Sequence, residues 1–210
     1  MNERKIPQRE IGLCWVNAGT GEFSRFVDTS FSEKYAFLQT NTMQYVECAD
    51  YFSKLFARER SGLRSGLVFT SSLWAHFMAP YRSLYCVSKA FVSDLAQQLW
   101  GELHCERGRN AKIDILAVCP TTIRGTGFHK APGMCPSGAP LRFFGKTAEE
   151  GALALEPARV VKTAIRNLGV QCEVNVGIAS HMCALARGLG RNFGAWAASL
   201  APDWRKMIGK

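Results

Sequence analysis

At 210 residues, 47% of them apolar and 20% charged, the chain suits one domain around one sizeable core, and its composition excludes disordered, collagenous and repeat architectures. A formal charge of +9 admits nucleic acid, an acidic membrane surface or a phosphorylated small molecule as partner. The basic residues are scattered, with no basic stripe interleaved with aromatics, which argues against nucleic acid. Arg58–Arg60 and Arg107–Arg109 fall at predicted helix ends, where cations favour the negative end of the helix dipole.

None of the eight cysteines has a partner two residues away, and the four histidines show no metal-ligand spacing, so no metal site is expected. Cys14 and Cys119 lie in apolar runs, where a reduced thiol behaves as a small hydrophobe; this predicts reduced cysteines and an intracellular setting. The opening residues, Met1 to Glu10, are polar and charged, unlike a signal peptide. No uninterrupted apolar run is long enough to span a bilayer. Cys183–Ala201 is rather apolar but interrupted by Arg187 and Arg191; it reads as a surface helix packed on the core or, alternatively, lying on a membrane face.

In chain order, Ile11–Val16 predicts a buried strand running into a turn at Asn17-Ala18-Gly19. Helical spacing then covers Phe31 to Arg60, with Tyr35, Leu38, Met43, Val46, Phe52, Leu55 and Phe56 as candidate core. Leu67–Thr70 is a second strand and Ser71–Ser83 a loop. Leu84 to Glu106 is a second long helix, with Phe91, Leu95 and Leu99 repeating every four residues. Ile113–Val118 is a third strand, stopped by Pro120. The Gly- and Pro-rich stretch that follows predicts a lid over about residues 121–150. Pro157–Leu168 reads as a helix, Gln171–Ile178 as a strand, and the remainder as helical. Strands alternating with long helices predict an α/β fold: a Rossmann-like, doubly wound parallel sheet with helices on both faces, whose ligand crevice lies outside the carboxyl ends of the strands.

The candidate chemistry sits at those ends. Tyr85 and Lys89 are four apart on a helix and share a face; an ammonium near the hydroxyl favours phenolate and makes tyrosine a usable acid/base. Ser72 ends a strand thirteen residues before Tyr85, and its hydroxyl could donate to a carbonyl oxygen on which charge develops. Asn41, a poor helix former, falls in the middle of the first long helix. A further strand ends at Pro120-Thr121-Thr122-Ile123. Thr122 is open to a turn reading as well. His76 and His129 flank the presumed site and read as surface loop histidines rather than ligands. Trp74, Phe77 and Met78 could line a greasy pocket or pack beneath the lid.

The order Asn17-Ala18-Gly19, helix Asn41, Ser72, Tyr85-x-x-Ser88-Lys89-Ala90-Phe91 and strand-end Pro120 resembles the short-chain dehydrogenase/reductase family over about residues 11 to 130. Glu10-Ile11-Gly12-Leu13 and Glu156 to Ile165 resemble, more narrowly, the branch of very-long-chain 3-oxoacyl-CoA reductases and 17-beta-hydroxysteroid dehydrogenases. The resemblance implies that Tyr85 donates the proton to a substrate carbonyl as hydride arrives from NADP(H), with NAD(H) open. It implies that Lys89 lowers the Tyr85 pKa and binds the nicotinamide ribose, that Ser72 holds the carbonyl, and that Asn41 positions a water leading to Lys89. Asn17, Ala18, Gly19, Tyr85, Lys89 and Pro120 to Ile123 would flank the cofactor. The substrate implied is a lipid-like ketone, such as a 3-oxoacyl-CoA or steroid, handled in a homo-oligomer in the cytoplasm or at the endoplasmic-reticulum membrane, with peripheral membrane contact open.

The pattern departs from the family's in places. Val16 stands where the family has a first Asn, Thr121 where it has Gly, and Gly125 displaces the usual Thr to Thr126. The family's first βαβ units and glycine-rich turn should fill about seventy to ninety residues ahead of Ile11, where ten stand. The sequence therefore reads as the second part of such a domain. The alternative is a non-catalytic fragment or pseudoenzyme serving as an interaction module. Half a doubly wound sheet would leave an open strand edge and a poorly soluble chain.

Overall fold

The computed structural model describes residues 11–59, 63–107, 112–128, 142–143, 146–147 and 153–188. Four parallel strands form the main sheet: β1 (Leu13–Val16), β2 (Ser65–Thr70), β3 (Ile113–Pro120) and, at the far edge, β6 (Glu173–Val176), in the order β1-β2-β3-β6. A short antiparallel pair, β4 (Arg142–Phe143) and β5 (Lys146–Thr147), stands apart. The helices are α1 (Phe31–Leu38), α2 (Gln44–Glu59), α3 (Ser83–Arg107), α4 (Pro157–Asn167) and α5 (Ile178–Gly188).

The pleat sends alternate residues to two cores, as a sheet covered on both faces requires. Leu67, Phe69, Ile113, Ile115 and Ala117 pack with Tyr45, Ala49 and Phe56 of α2 and Val92 and Ala96 of α3. Val68, Leu116, Val118, Val174 and Val176 pack against Val160 and Ala164 of α4 on the other face. Each large side chain removed from water contributes on the order of 1.5–3 kcal/mol, so both layers are strongly held. Among the described residues β1 is an outer strand of the sheet, as expected of a partial doubly wound arrangement.

The long helix predicted over Phe31 to Arg60 is instead α1 and α2 joined by a π-helical turn at Gln39–Met43. Arg60 lies outside the described residues. A wider turn rotates everything after it relative to what precedes, so a period carried through it loses register. Tyr35 is 58% exposed and Met43 is also exposed, whereas Tyr45 and Ala49 take core places beside the expected Leu55 and Phe56. On α3 the core positions are Val92 and Ala96; Leu95 and Leu99 are partly buried, and Phe91 is exposed.

The predicted lid lies largely outside the described residues, as does everything after Gly188. The two ends of that excursion are closed by a parallel bridge between Ile123 and Leu155, in which Leu155 N–H donates to Thr122 C=O (2.8 Å) and Arg124 N–H to Leu155 C=O (2.9 Å). The seven described cysteines are free thiols. No described helix is long and apolar enough to cross a membrane.

Candidate active site

The carboxyl ends of β1, β2 and β3 open into one cleft of about 450 Å³, and Asn17, Ala18, Gly19, Ser72, Tyr85 and Lys89 all line it. So do Pro120, Thr121, Thr122 and Ile123. Every residue expected at the site is therefore at this cleft except Asn41, which lies immediately behind it. Parallel strands place their ends together, which is why motifs so far apart in sequence meet there.

Each strand end is tied to its neighbour. Thr70 Oγ1 donates to Asn17 Oδ1 (2.7 Å) and accepts from Trp15 Nε1 (2.8 Å). The Ala18 carbonyl accepts from Gln44 Nε2 at 2.7 Å, and the buried Tyr45 hydroxyl lies 3.1 Å from the Ala18 and Thr70 carbonyl oxygens. Asn41, central in the π turn, exchanges two hydrogen bonds with the Thr20 backbone, Nδ2–H to C=O and N–H to Oδ1, each 2.8 Å. A side chain at Gly19 would meet Asn41 Oδ1 and Lys89 Nζ at 3.4 Å, so glycine lets the turn settle onto both. Thr121 Oγ1 donates to Leu153 C=O (2.8 Å), anchoring the β3 end.

Tyr85 and Lys89 are both buried on α3. Lys89 Nζ donates to Thr70 C=O at 2.8 Å and lies 5.8 Å from the Tyr85 ring centre. Burial pulls the ammonium down to about 8. Burial pushes the Tyr85 phenol up to about 12, against a hydrogen bond with Ser72 and the positive charge of Arg82, which both pull it down. Arg82, three residues before Tyr85, is thus a source of positive charge at the phenol that the sequence reading did not include. Phe128 covers the phenol, with ring centroids 5.7 Å apart.

Two residues essential to this geometry carry no local signal. Glu22, in the loop after β1, accepts at Oε2 from the N–H groups of Leu84 (3.1 Å) and Tyr85 (3.3 Å), capping the helix that carries Tyr85 and Lys89 from 62 residues away. Burial raises its pKa, with those bonds and Ser24 opposing. Arg82 is buried where α3 begins and lines the cleft, with its guanidinium carbon 5.1 Å from the Phe23 ring centre and 5.5 Å from that of Trp74. Of the two candidate pocket aromatics and Met78, Trp74 lines the cleft, Phe77 packs on Trp74, and Met78 is exposed.

His76 is not the surface histidine expected. Its side chain is buried among β3, β6, α3 and α5, because the turn after Ser72 folds back under the sheet end. Its Nε2 lies 3.1 Å from Asn175 Oδ1 and 3.4 Å from Glu173 Oε1, while Arg187 approaches Nδ1 at 3.4 Å. Ser93 Oγ and Gln97 Nε2 donate to Glu173 Oε2 as well. His76, Cys119 and Glu173 offer donor atoms within 4.8 Å of one another. Arg187 can only donate, so Nδ1 accepts and Nε2 carries the proton toward the two acceptors; that tautomer makes a hydrogen-bonded network rather than a ligand set. His129 lies outside the described residues.

The parallel sheet, with its cleft at the carboxyl strand ends, defines an α/β fold of the Rossmann-like kind, and the comparisons agree. The model of the short chain dehydrogenase family matches residues 7–132, and the chain belongs to that family. A 7beta-hydroxysteroid dehydrogenase of Collinsella aerofaciens is 21% identical over 168 residues, 80% of this chain and 57% of that protein. The chain thus spans little more than half the length of that curated relative. Two solved structures share the fold. A short chain dehydrogenase from Burkholderia cenocepacia in complex with NADP has a TM-score of 0.62 at 17% identity, covering 91% of this chain and 71% of the other. A short-chain dehydrogenase from Sphingobium yanoikuyae in complex with NADPH has a TM-score of 0.63 at 20% identity, covering 93% and 69%.

Proposed function

We propose that the chain carries the catalytic part of an NADP(H)-dependent carbonyl/alcohol oxidoreductase acting on an apolar ketone of the steroid or 3-oxoacyl kind. The observation that carries this is the convergence of Ser72, Tyr85 and Lys89 on one cleft at the carboxyl ends of parallel strands. The steroid dehydrogenase among the relatives and the NADP-bound neighbours support the substrate class and the cofactor.

The residues present fit the nicotinamide end of such a cofactor. The β1 turn at Asn17 to Gly19, buried Lys89 and the β3 end at Pro120 to Ile123 together wall the cleft. When bound, the cofactor supplies the hydride. In ketone reduction Ser72 and Tyr85 donate hydrogen bonds to the carbonyl oxygen, and Tyr85 passes its proton to it as negative charge develops. Lys89 holds positive charge beneath the phenol and faces the cofactor ribose. Asn41 positions the β1 turn beside Lys89 through its two bonds to Thr20, and keeps a lone pair on Oδ1 with which to hold a water leading to Lys89.

The test is titration of NADPH into the 210-residue chain by fluorescence, followed by reduction of an apolar ketone. Saturable binding, with turnover abolished by Tyr85→Phe while binding persists, is expected. Turnover unchanged by that substitution would overturn the reading.

A further inference from the structure

The outer side of α4 carries two stripes along its length. Arg159, Lys162 and Arg166 recur at i, i+3 and i+7 and are all exposed, as are Ala158, Val161 and Ile165 at the same spacing beside them. Val160 and Ala164, on the inner side, hold the helix to the sheet. Val161 is 47% and Ile165 49% exposed, so two branched apolar side chains face outward next to three cations.

Packing does not account for the cations. Among the described residues none of the three has an ion-pair partner, and Glu156, the acid that begins the helix, is paired with Arg124. Like charges three and four residues apart repel along a helix, and Arg159 opposes the helix dipole in a first turn that holds no acid. Arg166, in the last turn, is the one of the three that the dipole favours. The stripe therefore costs α4 stability and calls for negative charge from outside.

Charge and apolar surface together select the partner. Nucleic acid offers phosphates but no apolar layer for Val161 and Ile165. An isologous second copy presents the same face and brings no acid to it. An anionic bilayer supplies both, with phosphates for the cations and, just beneath them, acyl chains for the apolar stripe. The net charge of +9 adds long-range attraction to such a surface. We propose that α4 is a membrane-surface contact, lying in the plane of an anionic bilayer with Arg159, Lys162 and Arg166 at the headgroups and Val161 and Ile165 at the acyl boundary.

Flotation of the 210-residue chain with vesicles of phosphatidylcholine alone, and of phosphatidylcholine mixed equally with phosphatidylglycerol, tests this. Each cation near an anionic surface contributes about fivefold, so the mixed vesicles should bind about a hundredfold tighter. Arg159→Gln/Lys162→Gln/Arg166→Gln should remove most of that preference. Arg25→Gln/Lys54→Gln/Arg58→Gln, which takes the same charge from exposed places outside α4, should keep it. Val161→Ser/Ile165→Ser should weaken binding to the mixed vesicles several-fold. Equal binding to both kinds of vesicle, or none to either, overturns the proposal without any variant having to fold. So does an equal loss in the two charge variants, which would assign the attraction to net charge. Binding unmoved by Val161→Ser/Ile165→Ser overturns it as well, and would assign the stripe to a soluble polyanion. Vesicle binding needs neither cofactor nor turnover, so its failure leaves the oxidoreductase reading intact.

Discussion

Asn41 and Thr20 are joined by two reciprocal hydrogen bonds of 2.8 Å, and through them the π turn between α1 and α2 grips the loop that leaves β1. A π turn is retained where a side chain must reach a place a regular helix would not offer. Here the reach fixes the floor of the cleft, because Gly19 next to Thr20 lies against both Asn41 and Lys89.

Asn41→Ala should therefore destabilise the fold by about 1–3 kcal/mol, since it leaves the Thr20 N–H and C=O without their partner in a partly buried place. Urea denaturation measures it. A midpoint unchanged from the unsubstituted chain would show that Asn41 does not hold this turn.

Lys89 is buried at a cost in stability. Its ammonium is drawn down to about 8 by burial from an ordinary 10.5, so the folded chain sheds between those values a proton that the unfolded chain keeps. Stability should climb with pH across that window and be flat below it. Lys89→Met removes the buried charge and should stabilise the chain at pH 7 by roughly 3 kcal/mol. The Thr70 carbonyl would keep the Tyr45 hydroxyl at 3.1 Å. Melting curves at neutral and alkaline pH decide the matter; a variant less stable than the parent at neutral pH contradicts it.

What the sequence made legible is what local spacing encodes. Ser72, Tyr85 and Lys89 report themselves because a strand end and one helical turn fix their relation, and the apolar runs of β2 and β3 mark two buried faces. Contacts between distant segments leave no such trace. Glu22 is an ordinary loop acid until α3 arrives from 62 residues further on, and His76 sits in a loop that only folding carries to β6 and α5. The π turn is invisible to a search for a 3.6-residue period, and it displaced the expected core on α1.

Gly177 sets the exit from β6. Its φ is +96°, and a side chain there would meet Thr121 Oγ1 at 2.9 Å. Thr121 would have to give up the carbonyl of Leu153 and move the β3 end that walls the cleft. Gly177→Ala should lose about 1–3 kcal/mol of stability from backbone strain of this kind and weaken NADPH binding. Titrating the folded variant with NADPH checks the second effect, and an unaltered affinity would separate Gly177 from the cofactor wall.

His76 predicts an acid limit. Burial depresses its pKa below the ordinary 6.5, with Glu173, Asn175 and Asp94 opposing and Arg187 assisting. An unfolded histidine takes up its proton as pH falls through about 6.5 while the folded one stays neutral, so the unfolded state binds more protons and stability falls with pH in that window. The stabilisation is complete above 6.5 and is lost toward the depressed value. Protonation would also put a second positive charge at Nδ1, facing Arg187 NH1 at 3.4 Å. His76→Gln should be less stable than the parent at neutral pH, because the bonds to Glu173 and Asn175 are imperfectly replaced, yet it should lack this acid-side slope. Denaturation midpoints of parent and variant from pH 8 to pH 5 provide the comparison, and parallel profiles would place the titrating group elsewhere.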